Sequence, residues 1–497
     1  MTHIKLPSFT LLVALALGWS VDLFFYGKAL GISVPLFVLL LIIALFGLSW
    51  LEGVRPAWCN LWMLVPLIFF ATMVFVRANP FVTFLNVGGS LMLLGLIAYF
   101  YAAGRVERLG LVGYPIVLLS TMANALTQPP PLMSASVTLK AAREQGSRNL
   151  LPVMRGCLLA LPVLAVFTCF LASADLIFAD YLEDILHLEF LSDLLELLWR
   201  GVIILGAAWF LAGGLAYALS RGRMSANENA LEKALGSLTQ AISLGFIEVT
   251  TVLISVDLLF LVFVWIQFTY LFGGQANVTL EGYTYAEYAR RGFFELLTVS
   301  VLTLGLILGL HRLVRCETAR QRKILNGLSS LMVGLVLVIL ASAFQRLLLY
   351  EAAYGYTQLR LYSHVFMVWL AVTFVWFLAT LWLRPDRFAI GAFVAVLGFV
   401  LTLNAINPDA FIAERNLARY QATGKLDAHY LTTLSEDVVP VLVLAMDQVT
   451  GDEREVLSNH LRSRLESMEE NVRWWRWPAL HLARLQAYEL LVESQLN

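Results

Sequence analysis

Apolar runs of 18 or more residues recur along this chain, the clearest being Ile247–Phe272, Leu325–Gln345 and Val365–Leu383. Each is long enough to cross a hydrocarbon core of about 30 Å as a helix. A chain carrying many such runs has to satisfy its backbone inside helices that meet lipid. The fold class is therefore all-α, a polytopic transmembrane helix bundle. Of the 497 residues 59% are hydrophobic and only 14% charged, and the mean hydropathy is +0.76. Average soluble domains carry about 25% charged residues. The formal net charge is −1, which gives no electrostatic footprint for a nucleic-acid partner.

Eleven spans are predicted, at about 9–27, 32–51, 58–76, 80–101, 152–174, 201–219, 247–272, 292–311, 325–345, 363–383 and 388–406. The first contains Asp22 and has no small-residue cleavage site after it, so it reads as a retained span and not a removed leader. The stretch 109–127 is apolar but broken by Gly113, Pro115 and Asn124, and the prolines 129–131 follow it. It reads as a re-entrant or interfacial segment. Loop charge supports this. With the N-terminus in the cytoplasm and 109–127 not crossing, inner segments hold 18 Lys and Arg and outer segments hold 7; the remaining 9 of the 34 lie beyond residue 408. Basic residues accumulate in short cytoplasmic loops.

Eleven spans put the C-terminus outside. The last ~90 residues change composition, with 14 acidic residues and 9 basic ones. Caps and periodicity predict five short helices there, opened near Pro408, Asp427, Ser435, Asp452 and Pro478. The expectation is a small helical extracytoplasmic domain. The domains are then 1–108 (four spans), 109–151 (the broken segment and a basic loop), 152–406 (seven spans) and 407–497. The outer loop Asp175–Glu196 is an acidic amphipathic helix, read as an interfacial element.

Ionisable groups inside spans are costly, and each is a functional candidate. Asp257 lies about ten residues into its span and is a candidate proton-coupling site, or a buried acid bonded to a neighbouring span. Glu248, nine residues earlier, falls on the opposite side of a 3.6-residue helix. A second group gathers near the outer helix ends: Glu295, Arg346, Arg360 and His364, with Asp22, Gln345 and Asn404 at similar depth. Glu295 and Arg346 could form an ion pair. The set is a candidate ligand-binding cluster, or a set of ties between helix ends. Tyr350, Tyr354, Tyr356 and Tyr362 crowd the same level.

No phosphate loop, His-Glu-x-x-His or Gly-x-Ser-x-Gly motif occurs. The seven histidines are scattered, and the four cysteines (Cys59, Cys157, Cys169 and Cys316) form no Cys-x-x-Cys pair. No catalytic residue, metal site or cofactor is assigned. Gly88-Gly89 and Gly213-Gly214 read as close helix contacts, and Trp474, Trp475 and Trp477 as packing or membrane-surface docking.

The stretch PVMRGCLLALPVLAVFTCFLASADLIF (152–178), the segments TYAEYARRGFFELL (284–297) and YGYTQLRLY (354–362), and the tail between Asn407 and Val443 resemble the bacterial membrane proteins grouped as domains of unknown function 4173 and 4153. The similarity covers about 150–445 and leaves the first four spans outside. It implies a bacterial multi-pass cytoplasmic-membrane protein and brings no activity or catalytic residue. The expected partners are the lipid bilayer and an extracytoplasmic protein or small-molecule ligand. Three classes of function stay open: a non-enzymatic envelope sensing or docking component, a small-molecule or ion transporter using Asp257, and a membrane enzyme acting on envelope substrates.

Overall fold

The computed structural model describes residues 4–136, 167, 171, 189–220, 244–270 and 293–494. Most of the predicted span at 152–174, the acidic stretch up to residue 188 and most of the 284–297 segment lie outside the described residues.

The described chain is helical. In order the helices are α1 (Pro7–Phe25), α2 (Ser33–Glu52), α3 (Leu64–Val76), α4 (Pro80–Phe100), α5 (Gly113–Thr127), α6 (Pro129–Ser136), α7 (Glu189–Ser220), α8 (Phe246–Tyr270) and α9 (Phe293–Leu313). Then come α10 (Ala319–Tyr354), α11 (Gln358–Leu383), α12 (Phe388–Ile406), α13 (Pro408–Thr423), α14 (Ala428–Thr432), α15 (Val439–Ala445), α16 (Asp452–Glu470) and α17 (Leu482–Glu493). Among the described residues ten helical stretches are long and apolar enough to cross a membrane. Their outer faces expose large apolar side chains such as Leu12, Ile43 and Trp265. A surface of that kind is stable against lipid and not against water. The protein is a multi-pass membrane protein.

Local chemistry sets the helix ends. Pro7 opens α1, and the free backbone amides of Lys5 and Leu6 before it donate to the Glu52 carboxylate at 2.7 and 2.8 Å. Asn79 caps α4 through the Val82 amide, with Pro80 in the first turn. Thr318 and Gln321 form a reciprocal capping box on α10, which satisfies two orphan N–H groups. That cap starts α10 six residues before the apolar run, and the helix continues to Tyr354, well past the expected 325–345.

Three large buried clusters organise the described chain, beside two small ones. One joins α1–α5, α7 and α12, through residues such as Leu67, Leu96, Leu215 and Phe393. A second joins α8–α11 with the start of α12, through Leu253, Met332, Phe374 and Phe388. Helix α12 thus contributes to both. A third lies in the C-terminal segment, around Ile412, Leu431, Leu442, Leu461 and Leu491, and takes in Leu361 of α11.

Helix α5 runs antiparallel to α7. Tyr114 stacks on Phe393 at 4.9 Å, Ser120 meets the Tyr217 hydroxyl at 3.5 Å, and the Leu126 carbonyl accepts from Trp209 Nε1 at 2.9 Å. Helix α5 therefore stops about half-way along α7. Helix α6 then turns back, and its Leu132 shares a buried cluster with Ile4, Ala14, Ala212 and Ala216. Gly213 permits this approach: a Cβ there would fall 1.9 Å from the Ala125 carbonyl oxygen. Its neighbour Gly214 faces open space, so only one glycine of that pair is needed for contact. Of the other pair, Gly89 packs on Phe70 and Gly88 is open.

Four of the five predicted C-terminal helical segments begin near their predicted positions, the third as a 3₁₀ turn (Glu436–Val438) that runs into α15, and of their openings only Asp427 makes a side-chain cap bond. Gly424 ends α13 in the left-handed region, and the Asp427 side chain caps α14 through the Tyr430 amide. The fifth differs. Trp477–Ala479 forms a separate 3₁₀ turn and α17 begins at Leu482. Its buried face is Ala483, Ala487 and Leu491. Small side chains at i and i+4 let α17 approach α15 closely, which a leucine face would prevent.

Candidate functional site

The polar chemistry gathers where the C-terminal segment meets the helix ends. The chain leaves α12 through Asn407, whose φ is +53°. Asparagine tolerates the left-handed region better than most residues, and Pro408 starts α13 at once. This turn presses Asp409 into the joint, where it is fully buried.

Asp409 Oδ1 accepts from Asn79 Nδ2 at 2.9 Å and from Gln358 Nε2 at 2.7 Å. Its Oδ2 accepts from the Ser435 amide at 3.0 Å and the Ser435 hydroxyl at 2.6 Å. Asp437 Oδ2 accepts from the backbone amides of Ala78 at 2.8 Å and Asn79 at 3.1 Å. One buried carboxylate thus gathers α4, α11 and the C-terminal segment, and a second anchors that segment to the α3–α4 turn. Burial raises the pKa of Asp437 to about 6, against the lowering effect of the Ala78 amide and Arg77. The Gln358 amide donates to the Tyr430 hydroxyl at 2.8 Å. Asn416 exchanges two bonds with the Tyr356 backbone, at 2.8 and 2.9 Å. The His481 ring meets the Arg77 carbonyl through Nε2 at 3.2 Å, and Arg77 Nε donates to the Asn404 carbonyl at 3.0 Å. The Asn404 side chain pairs with Asn86 in both directions, at 2.7 and 2.9 Å.

Of the predicted outer cluster, Arg346, Arg360 and His364 lie at the adjoining ends of α10 and α11, each with its own partner, and Glu295 stands apart. Arg346 is buried and donates from Nη2 to Gln267 Oε1 at 3.1 Å, and Ser342 donates to the same oxygen at 2.9 Å. Glu295 is exposed in the first turn of α9 and makes no ion pair with Arg346. The reason is lateral: equal depth does not bring α9 and α10 side chains to one azimuth, and Gln267 of α8 reaches the guanidinium instead. His364 Nδ1 lies 3.2 Å from the buried Glu351 carboxylate. Arg360 donates to the Gly355 carbonyl and sits 4.0 Å from the Tyr350 ring centre. Asp22 pairs with Arg200 through two hydrogen bonds, at 3.0 and 2.5 Å. These two border an open recess of about 740 Å³ with Lys28, Glu196 and Arg476.

Asp257 is 3% exposed, and neither carboxylate oxygen has a hydrogen-bond partner among the described residues. It lies on the α8 face that carries Leu253 and Phe260, toward α10. Glu248, by contrast, is exposed and accepts from the Gly245 amide at 2.9 Å. The two acids do lie on different faces. Trp474 and Trp475 pack on the C-terminal cluster, while Trp477 is exposed and meets Phe24 edge-on at 5.6 Å.

Sequence reasoning missed Asn79, Gln267, Glu351, Gln358 and Asp437. Asn79-Pro80 carried a cap signal, but nothing local connects it to residues more than 300 positions away.

A family model, Domain of unknown function (DUF4153), matches residues 64–445. The chain belongs to the DUF4153 family. The match starts in α3, so α3 and α4 lie inside the family region and are not additions to it, as the resemblance had suggested. Asn79 and Asp437, the two ends of the joint, both fall within it. No curated protein and no solved structure matches.

Proposed function

We propose that this DUF4153 chain is a non-enzymatic envelope component that senses a signal or docks a partner through the face built by the C-terminal segment and the adjoining helix ends. The observation that supports this reading is the joint itself. Two buried carboxylates, Asp409 and Asp437, tie residues 407–494 to α4 and α11, so a load on that segment passes directly to the spans. The exposed face of the segment carries Leu444 (77% exposed) and Trp477. The positive-inside bias supports a cytoplasmic N-terminus and an extracytoplasmic C-terminal segment in a bacterial cytoplasmic membrane. The half-length α5 and returning α6 fit a re-entrant pair.

Two experiments test this. A cysteine placed at Glu469, in a chain with Cys157 and Cys169 changed to serine, is labelled in intact cells by an impermeant thiol reagent, while Cys59 requires permeabilisation. Labelling of Cys59 alone would reverse the orientation. In a strain deleted for the gene, Leu444→Glu with Trp477→Glu reaches normal membrane abundance and fails to complement. Full complementation would remove this face from the function.

A second reading, a proton-coupled transporter, draws on one observation: Asp257 is buried and has no hydrogen-bond partner among the described residues. Asp257→Asn would then abolish pH-dependent uptake in proteoliposomes; unchanged uptake across pH would exclude it.

A further inference from the structure

A groove of about 460 Å³ opens where α3 ends and α4 begins. Its floor is apolar and includes Val74, Pro80, Phe84 and Val87; its roof is His481 and Arg484 from the C-terminal segment. Phe84 is 71% exposed, and Leu91, two turns further along α4, is exposed as well. These side chains lie on one stripe of a helix long and apolar enough to cross a membrane, because residues 3 and 7 apart share a helix face. The groove therefore runs from the hydrocarbon region to the end of the span, at headgroup depth in whichever leaflet the C-terminal segment lies.

Arg484 sits at the polar end, where Glu436 supplies an opposite charge nearby but not in direct contact. Its Nε and Nη1 are buried and have no hydrogen-bond acceptor. One face of the guanidinium is covered by the Trp474 ring, 5.0 Å from its centre. No carboxylate lies within ion-pair distance of it among the described residues. A guanidinium held out of water in this way is costly unless an anion meets it, and its planar fork matches phosphate oxygens. His481 adds a second preference. Its Nε2 faces the Arg77 carbonyl, which can only accept, so Nε2 carries the proton. Its Nδ1 is then a lone pair, buried and without a partner.

We propose that this groove holds one phospholipid, with an acyl chain along Phe84–Leu91, the phosphate on Arg484 and a headgroup donor on His481 Nδ1. The headgroup class follows from that last contact. Ethanolamine and glycerol headgroups offer an N–H or O–H; choline offers none. The site therefore discriminates by donor and not by net charge.

The test is native mass spectrometry of the whole purified protein, titrated with phosphatidylethanolamine, phosphatidylglycerol and phosphatidylcholine of identical chains. The expected result is one retained lipid for the first two and at least tenfold weaker retention of phosphatidylcholine. Arg484→Gln lowers retention at least tenfold and Arg484→Lys restores most of it. Phe84→Asp, at an exposed position that leaves the fold intact, also lowers retention. Millimolar inorganic phosphate does not displace the lipid. Unchanged retention in both Arg484→Gln and Phe84→Asp would overturn the site. Equal retention of phosphatidylcholine would overturn the headgroup assignment, and displacement by inorganic phosphate would reduce the site to a free-anion site.

Discussion

Asp409 accepts a hydrogen bond from the Asn79 side chain, 330 positions earlier in the chain, at 2.9 Å. The carboxylate is fully buried, and its other three donors come from Gln358 and Ser435. Hydrogen bonds to a charged group contribute about 1.5–3 kcal/mol each, and a buried donor left unpaired costs its desolvation. Asp409→Ala is therefore expected to destabilise the junction by about 3–5 kcal/mol, the range for breaking a buried charged network. Asp409→Asn keeps an acceptor and costs less. Thermal unfolding in detergent, with limited proteolysis between residues 407 and 494, measures both.

The junction responds to acid in opposing ways. Burial, helped by Arg484, pushes His481 down to about 4; burial, helped by Arg464, does the same to His460. Both are neutral in the fold and would take up protons near pH 6.5 when unfolded. Their contribution is present above pH 6.5 and is lost as pH falls toward 4. Asp437, raised to about 6, acts the other way and favours the fold as pH drops from 6 toward 3.8. Two histidines outweigh one carboxyl. Hydrogen exchange over 407–494 is expected to quicken between pH 6.5 and 4, and His481→Gln to flatten that profile. An unchanged exchange rate across the window would refute the linkage.

Gly213 separates packing from propensity. A methyl there meets the Ala125 backbone, and neither helix axis can yield locally. Gly213→Ala is expected to cost about 1–3 kcal/mol despite alanine's better helix propensity. Gly214→Ala, facing open space, should be neutral or slightly stabilising. The contrast in melting temperature between these adjacent variants is the measurement.

Arg200 shields the buried Asp22 carboxylate, which is 2% exposed beside an arginine that is 43% exposed. The exposed partner screens part of the attraction, so Arg200→Ala should cost about 1–3 kcal/mol. Lysine cannot form both bonds, and Arg200→Lys should recover less than half. A double-mutant cycle with Asp22→Asn gives the coupling, and additivity of the two changes would show that the pair is only a contact.

Several of these residues were legible in part. Asp427 and Gly424 announced helix ends because a side-chain cap and a positive φ are local requirements. Asp257 announced itself as a buried acid, because its apolar surroundings in the chain become its surroundings in space. Glu295 and Arg346 were able to pair by depth and do not, since depth follows from position in a span but azimuth does not. The hidden partners were Gln267 for Arg346 and Glu351 for His364.

The sequence by itself determined the approximate placement of the ten described helices that can meet lipid, the break at 109–127 and the cap at Asp427. Those properties rest on hydropathy and backbone chemistry within one or two turns. Tertiary structure alone decided that Asn79, Gln358, Asp409 and Asp437 share one joint, that α6 turns back from the middle of α7, and that Arg484 lies over an apolar groove. Each depends on which helices are neighbours and how each is rotated. Side-chain packing fixes that rotation, and no stretch of chain carries it alone.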